Sequence, residues 1–458
     1  MAEAGISFWA IFLCMFSSIA APAPAGAAPV TAMPAHRMVN AVGVATHFDW
    51  GPNVYATRFD ELRTALGDLG VRHIRQSPGN ASAAARLRTL HDTLGVKVTA
   101  VIDARVGTGS TERLDPAGIA TLLGNLKTQI NIDMVAALEG PNEWNLTERL
   151  YGRTTWAQEL RSYQAELHRQ AKADPQLAGK PLLAPSLADP MAAGQYAKLG
   201  NIEAWTDRGN AHVYPNWLPF EQKFNAVLDY ARASIPSQKF WVTETGWHTA
   251  YNSGGQYVDE ATKMKYLGRA MATYASHPDL QRAFYYQLVD DEDNPSLTQN
   301  NKHMGLIAHD LTRKLGFYAI RNTMAVMCDD PLTFTPQSLN YALSGDLADV
   351  RTLLFQKNNR AFYLIVWIEQ RGFYKGATEY VTPRKVTLQL DRAFPTMRRY
   401  RPTDPSGNPQ WAFRPKVTQT GRAEFAFDVQ DNIAILELVP PGVATPPVNS
   451  GRCSFRPS

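Results

Sequence analysis

Cysteine is scarce in this sequence, with three residues in 458. Cys14 lies in an apolar N-terminal segment, whereas Cys328 and Cys453 lie at the two ends of the C-terminal region. Neither CxxC nor HExxH spacing occurs, so the common zinc-binding patterns are missing, and we predict no metal and no cofactor. In an exported protein Cys328 and Cys453 could form a disulfide or remain free thiols, and the sequence leaves both alternatives open.

A strong net charge and long basic tracts are also missing. The chain has 46 Lys and Arg against 42 Asp and Glu, which gives a formal net charge of +4. This balance gives no electrostatic footprint for a polyanion such as DNA, and we predict no nucleic-acid partner. Hydrophobic residues at 45% and charged residues at 19% are typical of a globular protein rather than a disordered chain.

Long hydrophobic runs are limited to one, in residues 6–16. This run is too short to span a bilayer comfortably, and small residues follow it at positions 25–28, which is the pattern of a signal peptide over residues 1–28. The absence of Lys and Arg before the run is atypical, and an uncleaved anchor is the alternative. We predict cleavage, no membrane association afterwards, and a secreted or periplasmic location.

Residues 38–325 repeat a unit of a short apolar strand followed by an amphipathic helix. Gly70 and Gly95 end two of the helices directly before strands, as in alternating α/β units. The pattern predicts eight strands, at residues 42–47, 71–76, 96–102, 134–140, 181–186, 210–214, 239–243 and 282–288. This α/β alternation predicts a (β/α)₈ TIM barrel. A doubly wound open sheet is less well supported, because no GxGxxG motif or P-loop follows the first strand.

The hydrophobic pattern changes near residue 330 from helical spacing to alternation. Residues 362–367, 386–390, 424–427 and 433–438 are predicted strands, separated by Gly, Pro, Asn and Asp. We predict that residues 326–440 form a small all-β sandwich domain. Residues 441–458 are rich in proline and are predicted to form a tail.

Two short segments carry the strongest functional signal. Glu143 lies in Gly-Pro-Asn-Glu-Trp after the fourth predicted strand, and Glu244 lies in Thr-Glu-Thr-Gly-Trp at the end of the seventh. Active residues of a barrel lie at the C-terminal ends of its strands. Two carboxylates there suit glycoside hydrolysis, in which one acid protonates the leaving oxygen and the other attacks the sugar. Glu139 is a rival acid that we expect to be buried and paired beneath the site.

These segments resemble the retaining glycosidases of clan A. That clan has an Asn-Glu pair at the end of strand four and a nucleophilic glutamate at the end of strand seven, and Asn142-Glu143 and Glu244 match both positions. Glu-Thr-Gly-Trp is also similar to the nucleophile segment of family 17, and there is some similarity to families 39 and 5, so no single family is selected. The resemblance implies cleavage of β-glycosidic bonds in a poly- or oligosaccharide, with Glu244 as nucleophile and Glu143 as acid/base.

Further roles follow from the resemblance. Arg75, at the end of strand two, would keep the nucleophile ionised by charge pairing. Tyr214 would donate a hydrogen bond to the nucleophile, His212 would line the cleft, and Asn142 would bind the sugar 2-hydroxyl. The pKa of Glu143 is expected to be raised, because the negative charge of the nucleophile would be about 5 Å away.

Aromatic side chains near the strand ends are candidate sugar platforms. Trp50, Trp217 and Trp247 lie on loops after strands, where each could stack on a sugar or pack in the core. Clan A enzymes usually have an aromatic residue, often Trp, at the end of strand eight. This chain has no Trp there, so Tyr286 or Gln287 would have to serve.

Several functional alternatives remain open from the sequence. A transglycosylase would use the same two glutamates with a sugar acceptor in place of water. A carbohydrate-binding protein could keep the barrel without the chemistry. The acidic residues 290–293 could be a solvated loop, or could recognise a cationic sugar or calcium. Neither the sugar nor the linkage is indicated.

Overall fold

The computed structural model of the protein describes residues 29–51, 53–411, 414–447 and Cys453. The predicted signal peptide, residues 1–28, lies outside the described residues. Within these ranges no helix is long and apolar enough to cross a membrane.

Eight parallel strands form the central sheet, and all eight correspond to predicted strands. They are β1 (Val42–Ala45), β2 (His73–Gln76), β3 (Lys97–Val101), β4 (Val135–Glu139), β5 (Leu182–Leu183), β6 (Gly209–Val213), β7 (Phe240–Thr245) and β8 (Leu280–Tyr285). Each strand pairs with its sequence neighbour, and β8 returns to pair with β1. A bridge between Leu183 and Arg208, just before β6, links the remaining edges. The predicted TIM barrel is confirmed.

Strand β5 is much shorter than the predicted 181–186. Pro181 and Pro185 flank its two residues, and proline has no N–H to donate to a neighbouring strand. The hydrophobic pattern alone does not reveal this limit.

One principal helix follows each strand and covers the outside of the barrel. These helices are α1 (Phe59–Leu69), α2 (Ala81–Leu94), α3 (Ile119–Thr128), α4 (Trp156–Ala173), α5 (Gln195–Leu199), α6 (Phe220–Ala231), α7 (Glu260–Ser276) and α8 (Leu315–Met327). Gly70 and Gly95 both have positive φ and cap α1 and α2, as their positions before strands predict. Short helices also occur at His36–Ala41, Val54–Thr57 and Leu146–Tyr151, and 3₁₀ turns at Gly109–Thr111, Pro116–Gly118, Ile132–Met134, Ala192–Gly194, Glu203–Trp205 and Asn300–His303.

The C-terminal region forms a β-sandwich of two antiparallel sheets. Its strands are β9 (Ser338–Gly345), β10 (Val350–Gln356), β11 (Phe362–Ile368), β12 (Arg384–Phe394), β13 (Thr396–Tyr400), β14 (Lys416–Gln419), β15 (Arg422–Val429) and β16 (Ala434–Val439). Strands β9, β12 and β15 form one sheet; β10, β11, β16, β13 and β14 form the other. Two-residue hairpin strands lie at Arg105–Val106, Arg113–Leu114, Phe373–Tyr374 and Ala377–Thr378.

Two N-terminal strands join the sandwich rather than the barrel. Pro29–Thr31 pairs with β9, and Met33–Pro34 pairs with β10. The chain therefore contributes to the sandwich before it enters the barrel. The sequence pattern did not indicate these strands, and the domain limits 38–325 and 326–440 stay a prediction.

Strand β11 holds the sandwich against the barrel because both of its faces are buried. Leu364 and Val366 pack into the sandwich core, whereas the alternating Ile365 and Trp367 pack among residues of α7 and α8. Arg269 of α7 is buried and donates hydrogen bonds to two carbonyl groups at the end of β11. A continuous apolar strand is what burial on both faces requires.

A disulfide between Cys328 and Cys453 ties the C-terminal segment to the end of α8. Cys453 is buried beside Gly70, so this part of the predicted tail is anchored to the barrel. Residues 448–452 and 454–458 lie outside the described part of the chain.

Candidate active site

The two predicted catalytic glutamates meet at the C-terminal end of the barrel. Glu244 lies in β7 and is 7% exposed, and Glu143 lies four residues beyond β4 with a positive φ of 49°. His212 lies in β6 between them. One oxygen from each glutamate and one ring nitrogen of His212 all lie within 4.8 Å of one another. Chain positions a hundred residues apart are brought together because every strand end points to the same rim.

Arg75 is the electrostatic centre of the site. Its guanidinium donates two hydrogen bonds of 2.8 Å to Glu139, one of 2.6 Å to Glu244 and one of 2.7 Å to the side-chain oxygen of Asn142. Burial opposes its charge, but the charges of Glu139 and Glu244 outweigh burial and raise the pKa of Arg75. A planar, permanently charged fork can hold three acceptors in fixed positions, which a lysine cannot do.

Glu139 is buried beneath the two glutamates, as expected for the rival acid. It is 0% exposed and, besides Arg75, accepts hydrogen bonds from Asn210 at 3.1 Å and Thr243 at 3.0 Å. A carboxylate with four donors and no contact with solvent positions Arg75 rather than reacting with substrate.

The second oxygen of Glu244 accepts a hydrogen bond of 2.5 Å from the Tyr214 hydroxyl. Burial and the charge of Glu244 raise the pKa of Tyr214 well above its usual value, so the phenol keeps its proton. Arg75 and Tyr214 thus hold Glu244 from two sides. The predicted donor role of Tyr214 agrees with this geometry.

The other glutamate, Glu143, interacts with His212. Their nearest atoms, Oε1 and Nδ1, are 2.7 Å apart. Burial lowers the pKa of His212, but the charges of Glu244 and Glu143 reverse this effect and raise it overall. Burial raises the pKa of Glu143, but the contact with His212 outweighs burial and lowers it. The expectation of a raised pKa for Glu143 is therefore wrong for the protein without substrate, because the imidazole of His212 lies 2.7 Å from the carboxyl group of Glu143.

A pocket of about 280 Å³ opens on one side of the glutamates. We call it the Trp50 pocket; its lining includes His47, Asp49, Trp50, Arg75, Gln76, Asp103, Arg105, Asn142, Glu143, Glu244 and Tyr286. Trp50 is 42% exposed and stacks on the His47 ring at 3.6 Å. Tyr286 lies edge-on to Tyr214, with ring centroids 6.4 Å apart, and its peptide bond to Gln287 is cis.

The Trp50 pocket contains polar residues that the sequence reading missed. Asp49 follows β1 and accepts a hydrogen bond from Gln76; burial raises the pKa of Asp49. Asp103 follows β3 and pairs with Arg105 at 2.6 Å. Burial lowers the pKa of His47 to about 3, so its ring is neutral. Each of these residues lies at or just beyond the C-terminal end of a strand. Because active residues of a barrel lie at these ends, their positions in the sequence could have identified them as candidates.

A second pocket, of about 360 Å³, lies on the other side of Glu143. We call it the Lys223 pocket; its lining includes Glu143, Arg149, Asp189, Met191, His212, Tyr214, Asn216 and Lys223. Glu143 is shared by both pockets, so the acid lies at the boundary between them.

Trp247 and Trp217 do not reach either pocket. Trp247 is 2% exposed, packs against Tyr266 and donates its indole N–H to the Leu218 carbonyl oxygen. Trp217 packs edge-on to Tyr374 at 4.8 Å. The predicted sugar-platform role is wrong for Trp247 because its ring is part of the core, whereas the role of the half-buried Trp217 stays a prediction. Of the three candidate platforms, Trp50 lines a pocket.

The two tryptophans should respond to mutation in opposite ways. We expect Trp247→Ala to lower the free energy of unfolding by about 3–5 kcal/mol, because it empties a buried ring site. Trp50→Ala should change that free energy by about 0.5 kcal/mol or less, because the ring is exposed, and should instead weaken ligand binding in the Trp50 pocket. Chemical denaturation measures the first difference; equal losses of stability would contradict this assignment.

The acidic residues after β8 are partly paired within the protein. Asp290 pairs with Lys314 at 2.5 Å, Asp291 with Lys302 at 3.1 Å, and Glu292 also with Lys302 at 2.7 Å. Asp290 and Asp291 are 4% and 6% exposed, so we interpret these two as structural. Two lysines offset only part of the charge of four carboxylates, and recognition of a cationic sugar or calcium by the exposed end of the segment stays a prediction.

The spacing of Glu143, His212 and Glu244 would also suit a metal ion. However, both oxygens of Glu244 already accept hydrogen bonds, and the adjacent guanidinium of Arg75 repels a cation. We therefore interpret these three residues as groups that hold and transfer protons.

Comparison with known proteins supports the architecture. No family model matches the sequence, and no curated protein matches it. Solved structures do match it. The GH39 enzyme from Xanthomonas axonopodis pv. citri aligns with a TM-score of 0.57 and 16% identity, over 91% of this chain and 99% of that chain.

Two further structures are similar over nearly the whole chain. A glucosidase from Croceicoccus marinus has a TM-score of 0.58 and 11% identity, over 90% of this chain and 97% of that chain. A monomeric beta-xylosidase from Caulobacter crescentus CB15 has a TM-score of 0.56 and 12% identity, over 90% and 98%. At these identities the likeness shows the fold, barrel and sandwich together. The protein thus shares the fold of these three enzymes, a (β/α)₈ barrel with a β-sandwich.

Proposed function

We propose that this protein is a retaining glycoside hydrolase that cleaves β-glycosidic bonds of a poly- or oligosaccharide. The observation that carries this proposal is the short separation of Glu143 and Glu244, with side-chain oxygens within 4.8 Å. Retaining enzymes place their carboxyl groups about 5–5.5 Å apart, whereas inverting enzymes need about 6.5–9.5 Å to admit a water molecule. The fold shared with glycosidases agrees with this proposal.

In the first step Glu244 attacks the anomeric carbon. The bond from a Glu244 oxygen to that carbon forms while the bond to the leaving oxygen breaks, and Glu143 gives its proton to that oxygen. In the second step Glu143 removes a proton from water, which attacks the same carbon and releases Glu244. Asn142 is held by Arg75 at the edge of the Trp50 pocket, where its amide can bind the 2-hydroxyl.

The proton for the first step is shared by Glu143 and His212. Their contact and the opposite shifts of their pKa values favour carboxylate and imidazolium in the free enzyme. Transfer of a proton from His212 Nδ1 to Glu143 Oε1, two atoms that lie 2.7 Å apart, creates the neutral acid that the leaving oxygen needs. The pair titrates as a unit, so its proton is lost at the raised pKa of His212 rather than at that of a glutamate.

The Trp50 pocket would hold the sugar whose bond is cleaved. Its volume of about 280 Å³ equals that of about nine liquid waters at ~30 Å³ each, which suits one pyranose ring. Trp50 offers an exposed ring face, and Asp49, Gln76 and Arg105 offer hydrogen-bond partners for hydroxyl groups. Substrate would thus be a neutral carbohydrate on this side of the cleft.

The test is hydrolysis of a panel of aryl β-glycosides and polysaccharides, followed by NMR of the first anomer released. We expect a β-anomeric product from a β-glycoside. An α-anomer would overturn the retaining mechanism. Transfer of the sugar to added oligosaccharide rather than to water would identify a transglycosylase, and binding without cleavage would identify a carbohydrate-binding protein.

We expect substitution of His212 to shift the pH profile. In the wild type, activity falls as pH rises through the raised pKa of His212. In His212→Asn the proton resides on Glu143 alone, so the basic limb of kcat/KM should move to lower pH by about one unit or more. His248→Asn is the matched control, because His248 lines neither pocket and burial lowers its pKa to about 4. An unchanged basic limb in His212→Asn would refute the shared proton.

We also propose that the protein is exported. The sequence pattern of residues 1–28 and the disulfide between Cys328 and Cys453 both suit an oxidising compartment. The test is the intact mass of protein recovered from outside the producing cell. We expect a mass that lacks residues 1–28, and a mass that includes them would contradict cleavage.

A further inference from the structure

The Lys223 pocket lies where the departing half of the substrate must go. It borders Glu143 on the side away from the Trp50 pocket, and Glu143 gives its proton to the bond that joins the two halves. With one sugar in the Trp50 pocket, the next unit therefore occupies the Lys223 pocket. This placement rests on the proposed function.

The charges in the Lys223 pocket leave one cation in excess. Arg149 and Asp189 pair at 2.5 Å and cancel each other, and Glu143 interacts with His212. Lys223 forms no salt bridge within the described part of the chain; its ammonium lies 3.5 Å from the thioether sulfur of Met191. A half-buried ammonium beside a thioether keeps most of its capacity to attract an anion.

The Trp50 pocket, in contrast, has no cation in excess among its described lining residues. Asp103 neutralises Arg105, and Glu139 and Glu244 neutralise Arg75. Asp49 adds a further carboxyl group, which pairs with the neutral Gln76. The two sides of the cleft therefore differ in polarity, since an anion is disfavoured in the Trp50 pocket and attracted by the Lys223 pocket.

The backbone around the Lys223 pocket is also unusual. Glu143, Asp189 and Asn216 have φ values of 49°, 45° and 59°, and all three line this pocket. Side chains other than glycine rarely adopt such values, and strained residues of this kind concentrate at ligand sites. Three residues that line this pocket therefore have an unfavourable backbone conformation, which is typical of a ligand site.

We infer that the Lys223 pocket binds a leaving-group sugar that carries a carboxylate, such as a uronic acid, and that Lys223 selects it. The substrate class is then an oligo- or polysaccharide in which a neutral sugar is β-linked to an acidic one. Cleavage places the neutral sugar on Glu244 and releases the acidic sugar as the leaving group with the proton of Glu143.

The test compares two chromogenic glycosides of the sugar that the panel identifies. One has 4-nitrophenol as leaving group, and the other has 3-carboxy-4-nitrophenol, which adds one carboxylate. The measured quantity is the ratio of kcat/KM for the carboxylated substrate to that for the neutral one. Intrinsic differences between the leaving groups cancel when this ratio is compared between enzyme variants.

We expect Lys223→Gln to lower this ratio by about fivefold to tenfold, and Lys223→Glu to lower it further. The loss should arise in KM more than in kcat, and 1 M NaCl should reduce the wild-type ratio, because salt screens a charge that is in contact with solvent. Lys239→Glu is the matched control: it makes the same charge change on an exposed residue at the opposite end of the barrel. Its ratio should equal that of the wild type.

Protein stability separates a specific effect from misfolding. Lys223 lies in the first turn of α6, where a cation is unfavourable, so Lys223→Glu should keep or raise the melting temperature. Unchanged ratios in both Lys223 variants, with both substrates cleaved, would overturn this inference and leave the proposed function intact. Cleavage of no glycoside by the wild type would overturn the proposed function and this inference with it.

Discussion

Glu244→Ala is expected to lower kcat/KM by a factor on the order of 10⁴ to 10⁶, which is the largest catalytic loss available in this site. The substitution removes the atom that bonds to the sugar, and it leaves Arg75 and Tyr214 without the acceptor they hold at 2.6 and 2.5 Å. Azide is small enough to enter the space of the lost carboxylate. Because it would attack from the same face, it should yield a glycosyl azide of inverted configuration.

Glu143→Ala should give a different pattern. General acid catalysis contributes about 10²- to 10⁴-fold, and the loss should be smallest for substrates whose leaving groups need little protonation. Azide should here give a product of retained configuration, since it replaces water in the second step. Glu61→Ala on α1 is the control, because this exposed glutamate forms its one salt bridge within the described residues with the partly exposed Arg58. Rescue of Glu143→Ala with inversion would mean that the two roles are exchanged.

Arg75→Met is expected to lower the free energy of unfolding by about 3–5 kcal/mol, as much as the loss of the buried Trp247 ring, because removal of one partner from a buried ion pair leaves an uncompensated charge. Glu139 would lose two hydrogen bonds while remaining 0% exposed, and Glu244 would lose its hydrogen bond from the guanidinium, with His212 Nδ1 still 3.5 Å from its other oxygen. Chemical denaturation with matched activity assays measures this change.

Two further variants make the stability prediction specific. Arg75→Met with Glu139→Gln should recover part of the stability, because the amide removes the stranded charge, while activity stays low. Arg282→Met is the matched control: this enclosed arginine stacks over Trp241 and forms no salt bridge among the described residues. Removal of the Arg282 guanidinium leaves no carboxylate without its partner, so we expect a smaller decrease in the free energy of unfolding. Equal destabilisation by both single variants would contradict the central role of Arg75.

The strand pattern could be predicted from local sequence because most barrel strands are short buried segments and most barrel helices carry apolar residues at helical spacing. This contrast is a local property, and glycines such as Gly70 and Gly95 mark where one element ends. Strand β5 shows the limit of that reading. The prolines that flank this strand limit it to two residues, because proline has no N–H group to donate to a neighbouring strand, however apolar the segment is.

The tryptophans and the acidic segment show what local sequence does not contain. Trp50 and Trp247 both follow strand ends, yet one is 42% exposed and the other 2%. Their difference depends on what packs above them, Tyr266 in the case of Trp247. The sequence does not show which acidic residues of that segment are paired, because Lys302 and Lys314, which pair with three of its four carboxylates, lie farther along the chain.

Consecutive residues are enough to predict the barrel, the sandwich and the candidate pair Glu143 and Glu244, because strand periodicity and position at a strand end are local properties of the chain. The behaviour of these groups depends instead on contacts between distant segments. Arg75 bridges three acceptors, and His212 lies 2.7 Å from Glu143 and reverses the expected direction of its pKa shift. The position of Lys223 in the pocket that Glu143 also lines, without a salt bridge among the described residues, is likewise a product of packing. Electrostatic interactions depend on distances in space, and distances between residues far apart in the chain are set only when the barrel closes.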